Sequence, residues 1–138
     1  MPSRLNPYLQ FHDQTREAME FYRDVFGGEL TMSSFAEGGM PHDPADANKT
    51  MHAQLEAQNG FTLMASDSPT GERPSISGVA ISLSGTDDAE LSGYWDKLAE
   101  GARIDQPLVA APWGDKFGML TDKFGVPWFV NITAQQPG

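Results

Sequence analysis

Of the side chains able to move a proton, His52 and Asp67 are the two best placed by their sequence context. His52 lies in TMHAQL, where Met51, Ala53 and Leu55 alternate with His52, Gln54 and Glu56, the period-2 pattern of a strand with one face in the core. On the polar face of such a strand an imidazole can orient a ligand or act as a base. It can equally be a hydrogen-bonded structural histidine. Asp67 closes the segment LMASD, and either it supplies the acid of a pair with His52 or its carboxylate bonds the backbone of the turn SDSPTG. Glu56 is the other candidate partner for His52. His12 falls at a turn beside a helix start, and His42 lies in a loop. The chain has no cysteine, which excludes disulfides, thiolate nucleophiles and Cys-based metal sites. No nucleophile elbow with a Ser-His-Asp set is present.

Aromatic residues form a second group. Trp113, Phe117, Trp128 and Phe129 fall in the last quarter, with Phe35 and Met64 as counterparts in the first half. Any one of them can be plain core; together they can line an apolar cup, with Asn6, Gln54 and Asn131 as its polar contacts. In VPWFVNIT, Trp128, Val130 and Ile132 share one face and Phe129, Asn131 and Thr133 the other, so Trp128 and Phe129 cannot both face a cavity. Phe129 is expected to face it, leaving Trp128 to pack on a helix or a second subunit.

What positions these residues is a repeat. In QTREAMEFYRDVFGG, Ala18, Phe21, Tyr22, Val25 and Phe26 make an apolar helical stripe, with Asp13 or Thr15 to cap the start and Gly27-Gly28 to end it. DDAELSGYWDKLAEG repeats the stripe with Leu91, Tyr94, Trp95, Leu98 and Ala99, 73 residues later for each matched pair. A strand-like segment precedes each helix and three follow it. Asn59-Gly60 marks a hairpin, and Gly125 takes the equivalent place 65 residues on. The expected fold is therefore α+β, one domain over 1–138. Two βαβββ modules form curved antiparallel sheets around a shared cavity, each with a helix outside. The first module spans 1–67 with a flap insertion at 36–49, the second spans 76–138, and 66–75 links them.

Bulk properties narrow the partners. The net charge is −10, and the nine basic residues are scattered, so a nucleic-acid surface is not expected. No apolar run approaches the roughly 18 residues that span a bilayer, and the N-terminus has no signal-peptide pattern. A cytoplasmic protein without membrane partners is expected.

With LNPYLQF, AMEFYRDVFGGEL, MHAQL, LMASD and TDKFGVPWFVNI in view, the chain resembles the vicinal oxygen chelate superfamily over nearly its whole length. That superfamily includes glyoxalase I, bleomycin-resistance proteins and extradiol dioxygenases. The similarity is greatest to the PhnB-like group, often labelled demethylubiquinone methyltransferase-like. The resemblance implies metal ligands on the first and last strands of each half. Carried over, those positions fall on Asn6, Met64, Val79 and Phe129, a set that cannot make a catalytic zinc or iron site. No metal or other cofactor is therefore expected, and no Gly-rich strand-to-helix loop supports S-adenosylmethionine binding. The resemblance also implies a homodimer. The expectation is a metal-independent protein that binds or sequesters a small molecule. Two alternatives stay open. One is an enzyme using a relocated metal or a His52–Asp67 pair; the other is an assembly protein with a filled core. Lys116 and Lys123 are the nearest cations for a phosphonate, and both are expected to face solvent.

Overall fold

Each apolar helix stripe needs a sheet to bury it, and the chain supplies one per repeat. The computed structural model describes residues 6–38, 44–68, 78–112 and 114–133. It divides into two compact units, Met1–Ser75 and Ile76–Gly138. In the first unit, β1 (Tyr8–Phe11) leads into α1 (Thr15–Phe26). Then come β2 (Glu29–Ser34), the one-turn α2 (Phe35–Gly38), a 3-10 turn (Pro44–Asp46), β3 (Thr50–Glu56) and β4 (Thr62–Asp67). The second unit runs β5 (Ile81–Gly85), α3 (Asp88–Leu98), β6 (Arg103–Ala110), β7 (Lys116–Thr121) and β8 (Pro127–Ile132).

The sheets have strand orders β1-β4-β3-β2 and β5-β8-β7-β6. They are mixed, not antiparallel as the sequence suggested: β1 runs parallel to β4 and β5 parallel to β8. Connectivity dictates this. A helix crossover returns the chain so that β2 runs in the direction of β1, and the meander β2–β3–β4 brings β4 back in that same direction beside it.

In each unit the helix covers one sheet face. Against α1 lie the buried Leu9, Phe11, Ala53, Leu55, Leu63 and Ala65. The helix contributes Ala18, Met19, Tyr22, Val25 and Phe26, so the stripe includes Met19 where the sequence suggested Phe21, which is half-buried. On α3, Leu91, Trp95 and Leu98 pack toward Leu83, Leu120, Trp128, Val130 and Ile132. The turns repeat as expected: Gly60 N–H donates to the Ala57 carbonyl at 3.1 Å and Gly125 N–H to the Asp122 carbonyl at 2.9 Å. Both glycines have positive φ, +81° and +88°.

The expected local cap of α1 is absent. Its N-cap residue is Gln14, which makes no side-chain cap bond. Instead the Thr15 N–H donates to Asp67 Oδ1 at 3.0 Å, from 52 residues away. Helix α3 is capped locally, with Asp87 Oδ1 accepting from the Glu90 N–H at 3.1 Å.

Strand β6 forms an edge of its sheet and is exposed along most of its length. Its pairing with β7 shifts register twice, between Ile104 and Gln106 and between Gln106 and Val109, the second around Pro107. No helix among the described residues is long and apolar enough to cross a membrane.

Gly118 in β7 lies directly under the Trp95 ring of α3. A Cβ there would lie 2.8 Å from the Trp95 ring and 2.9 Å from the Leu108 Cα. Gly93, inside α3, has no such neighbour within 4 Å. Gly118→Ala is expected to destabilise the protein by about 1–3 kcal/mol through overpacking. Gly93→Ala is expected to stabilise it by about 0.5–1 kcal/mol through helix propensity. Urea unfolding midpoints of the two variants check this opposition of signs.

Candidate functional site

Because side chains alternate, the residues not aimed at a helix line a second face of each sheet. In the first unit this face carries Tyr8, Ser33, His52, Gln54, Glu56 and Met64. Gln54 and Tyr8 each sit directly beside Met64 in the ladder, and Ser33 sits beside His52. Asn6 is half-buried at the entrance to β1, one residue before Pro7, whose carbonyl accepts from the Met64 N–H at 3.1 Å. Gln54 thus lies between His52 and Met64 on this face, and Asn6 stands near Met64 at the other end from His52. Tyr8 was not anticipated from sequence; its ring centroid lies 6.0 Å from that of His52.

A line of hydrogen bonds runs along β3. His52 Nε2 is 3.4 Å from Gln54 Oε1. Gln54 Nε2 donates to Glu56 Oε1 at 2.5 Å, and the Thr62 hydroxyl donates to Glu56 Oε2 at 3.1 Å.

Asp67 does not belong to this group. It shares the helix-side face with Leu63 and Ala65, opposite to His52, and is 6 % exposed. Both its oxygens are taken by backbone donors, Oδ1 by the Thr15 N–H and Oδ2 by the Thr50 N–H at 2.9 Å. The pairing of His52 with Asp67 as acid and base is therefore corrected. Asp67 is a structural clamp, the backbone-bonding reading applied to different partners.

Phe35 starts α2, outside the strands, with its N–H donating to the Lys49 carbonyl at 3.1 Å. Lys49 also pairs with Asp13 at 3.5 Å and Asp46 at 3.4 Å, which fixes the C-terminal part of the expected flap to the start of the domain. Residues 39–43 of that flap, with His42, lie outside the described residues, as do Trp113 and most of the 66–75 linker.

In the second unit the uncovered face carries an apolar cluster with Ser82, Ser84, Thr121 and Asn131 around it. Phe117 pairs with Asn131 and Met119 with Phe129 across the β7–β8 ladder. The Phe117 and Phe129 rings meet edge to face with centroids 6.0 Å apart, and Phe129 is 37 % exposed. Phe117 and Met119 also line a groove of about 320 Å³ with Gln106, Val109 and Pro112. Period-2 reading of KFGMLT would have found Met119. Trp128 points the other way: it is 1 % exposed, and its indole N–H donates to Asp122 Oδ2 at 2.9 Å. Trp95 is likewise buried, so neither tryptophan offers a surface to a second subunit.

Val79 needs correction as a counterpart of Asn6. Leu9 pairs with Ala65 and Leu83 with Val130, while Ala65 and Val130 keep the 65-residue offset of the hairpins. The first strands are therefore offset by 74, not 73, because the second unit has one residue fewer between strand and helix. Ala80 corresponds to Asn6, and a one-residue slip places Val79 on the other face. Among the described residues no three His, Asp or Glu side chains converge in a way that could hold a metal.

The nearby cations are committed. Lys116 Nζ lies 2.6 Å from Asp88 Oδ2 beside a second groove, and Arg103 Nε lies 2.7 Å from Asp105 Oδ1. The Lys116 hydrogen bond, then that from Ser92, holds the Asp88 carboxyl below its ordinary value. The Arg103 hydrogen bond does the same for Asp105. What these pairs contribute is present above the ordinary carboxylate pKa and is lost as pH falls through the lowered one.

Two βαβββ units, each with one helix-covered face and one side-chain-lined open face, define a glyoxalase-type fold. The chain belongs to the Glyoxalase/Bleomycin resistance protein/Dioxygenase superfamily, whose model matches residues 4–130. It is 38 % identical to the crystal structure of protein PA1353 from Pseudomonas aeruginosa, with a TM-score of 0.84 over 97 % of this chain and 100 % of that one. The PhnB protein from Bacillus cereus, a putative 3-demethylubiquinone-9 3-methyltransferase, is 25 % identical. Its TM-score is 0.73 over 95 % of this chain and 100 % of that one. Protein YjdN from Escherichia coli K12 is 29 % identical over 96 % of this chain and 97 % of its own length.

Asp67→Asn keeps an acceptor for one backbone N–H and turns an amide donor toward the other. It is expected to destabilise by about 1–3 kcal/mol. His52→Ala, on the open face, is expected to change stability by less than about 0.5 kcal/mol. Equilibrium unfolding of both variants distinguishes clamp from face residue.

Proposed function

We propose that this protein binds an uncharged, largely apolar small molecule without a metal. The observation that carries the reading is the exposed Phe117–Met119–Phe129 surface, continuous with the groove beside Val109 and Pro112. An aromatic ring held 37 % exposed in a strand is costly to leave in water and favourable to cover with a ligand. Side-chain chemistry supports the metal-free part. Asn6, Ala80, Met64 and Phe129 occupy the positions where the resemblance would put His and Glu ligands, and none of them is a strong ligand for zinc or iron(II). The ion pairs of Lys116 and Arg103 support a neutral ligand over a phosphonate. Gln106 and Asn131 supply polar contacts at the edges of the surface.

A homodimer belongs to the proposal on the resemblance alone, and a cytoplasmic location on the cysteine-free sequence. The alternative is an enzyme, favoured by one observation: the hydrogen-bonded His52 on the open face of the first unit.

The test is a thermal-shift series on metal-stripped protein, first with nickel, zinc, manganese and iron(II), then with neutral aromatic compounds. A compound at one hundred times its Kd stabilises by about 2.7 kcal/mol, enough for a clear rise in Tm. The expected result is a rise with an organic compound and none with metal. Phe129→Ser is expected to weaken that compound's binding at least tenfold, about 1.4 kcal/mol. A rise with metal alone overturns the metal-free reading.

A further inference from the structure

The row His52–Gln54–Glu56 has a consequence for proton placement. A carboxylate only accepts hydrogen bonds, so the group that Gln54 presents to Glu56 must be its NH2. The carbonyl oxygen of the same amide then faces His52, and an oxygen facing an imidazole nitrogen requires that nitrogen to carry the proton. Glu56, held from its other side by the Thr62 hydroxyl, thereby acts on the tautomer of a histidine one side-chain amide away. In a neutral His52 ring this arrangement calls for the proton on Nε2 and leaves the lone pair on Nδ1. Among the described residues, no other hydrogen bond engages the ring.

The surroundings define what could meet that lone pair. The Tyr8 ring lies 6.0 Å from the imidazole with a 37° tilt, and Tyr8 is 49 % exposed. Met64 adjoins Tyr8 in the ladder and Ser33 adjoins His52. The face thus joins the Nδ1 acceptor of His52 to an aromatic and thioether surface, with no Lys or Arg on it among the described residues.

We propose that the Glu56–Gln54 chain sets His52 as the Nε2–H tautomer, so that Nδ1 accepts a hydrogen bond from the hydroxyl of a phenol-like ligand whose ring lies against Tyr8. This site is in the first unit and goes beyond the apolar surface of the second. Gln54 and Glu56 act on the ligand through His52 and are positioning residues.

Long-range proton–nitrogen correlation spectra of the 15N-labelled protein, at about pH 8.5 where histidine is neutral, read the tautomer directly. The expected Nε2–H fraction at His52 exceeds that of free histidine in the same buffer. Gln54→Leu returns it to the free value, and Glu56→Gln, which removes the demand on the Gln54 amide, moves it in the same direction. An Nδ1–H majority, or a ratio that neither variant changes, overturns the assignment. Phenol and anisole, added at millimolar concentration, test the acceptor role, since anisole keeps the ring and lacks the O–H. Phenol is expected to shift the His52 Nδ1 resonance and anisole to leave it in place. Equal shifts with both, or none with phenol, overturn that role. A phenol response lost in Phe129→Ser but kept in Gln54→Leu would place the phenol on the second unit instead.

Discussion

A buried carboxylate with both oxygens hydrogen-bonded holds each unit together, and the remaining architecture follows from where that carboxylate sits. Asp67 ends the central strand β4 and gathers the first N–H of α1 with the first N–H of β3. Three segments far apart in sequence are thereby fixed to one another. Asp122 does the equivalent within a tighter compass, accepting the Phe124 and Val126 N–H groups on Oδ1 and the Trp128 indole on Oδ2. An unpaired buried carboxylate would cost several kcal/mol of desolvation or take up a proton; these two replace water with fixed donors. The two clamps are not repeat-equivalent. By the 65-residue offset, Asp67 corresponds to Ile132, an apolar residue. The second unit can place an apolar residue there because Asp87 caps α3 from the adjacent position, whereas α1 has no local cap and draws on the distant strand.

This arrangement separates support from exposure. One face of each sheet is committed to its helix, and the clamps lie on that side or at the turns, so the opposite faces can vary without unfolding the chain. The two units have used that freedom differently. The first carries a row of hydrogen-bonding side chains and a histidine; the second carries interlocked phenylalanines and a methionine. At the positions where the resemblance would put metal ligands, the first unit has Asn6 and Met64 and the second has Ala80 and Phe129.

Much of the fold was legible in the sequence because it rests on local periodicity. The helix stripes, the eight strands, the paired turns at Gly60 and Gly125, and the opposition of Trp128 to Phe129 all follow from spacings of two, three and four residues. What escaped depends on long-range pairing. The parallel β1–β4 contact is set by a crossover, the Asp67 clamp by partners 17 and 52 residues away, and the 74-residue strand offset by a single missing residue in a loop. The substitution of Met19 for Phe21 on the buried stripe has the same origin: the two apolar residues flank the stripe on opposite sides, and the sheet decides which of them is covered. Within the candidate site, His52, Gln54, Met64, Phe117, Phe129 and Asn131 could be picked by alternation alone. Tyr8 and Met119 could have been picked the same way, but Glu56's hold on His52 through Gln54 could be seen only as geometry.

The edge strand β6 bears on solubility. Eight residues of backbone stand at the border of a sheet, a surface that invites another chain to add a strand. Pro107 interrupts it with a missing N–H, and the register shifts around it break the regular spacing that an incoming strand would have to match. Together with a net charge of −10, this interruption works against edge-to-edge polymerisation, so a concentrated solution of the folded protein should stay free of cross-β aggregates seeded at that border.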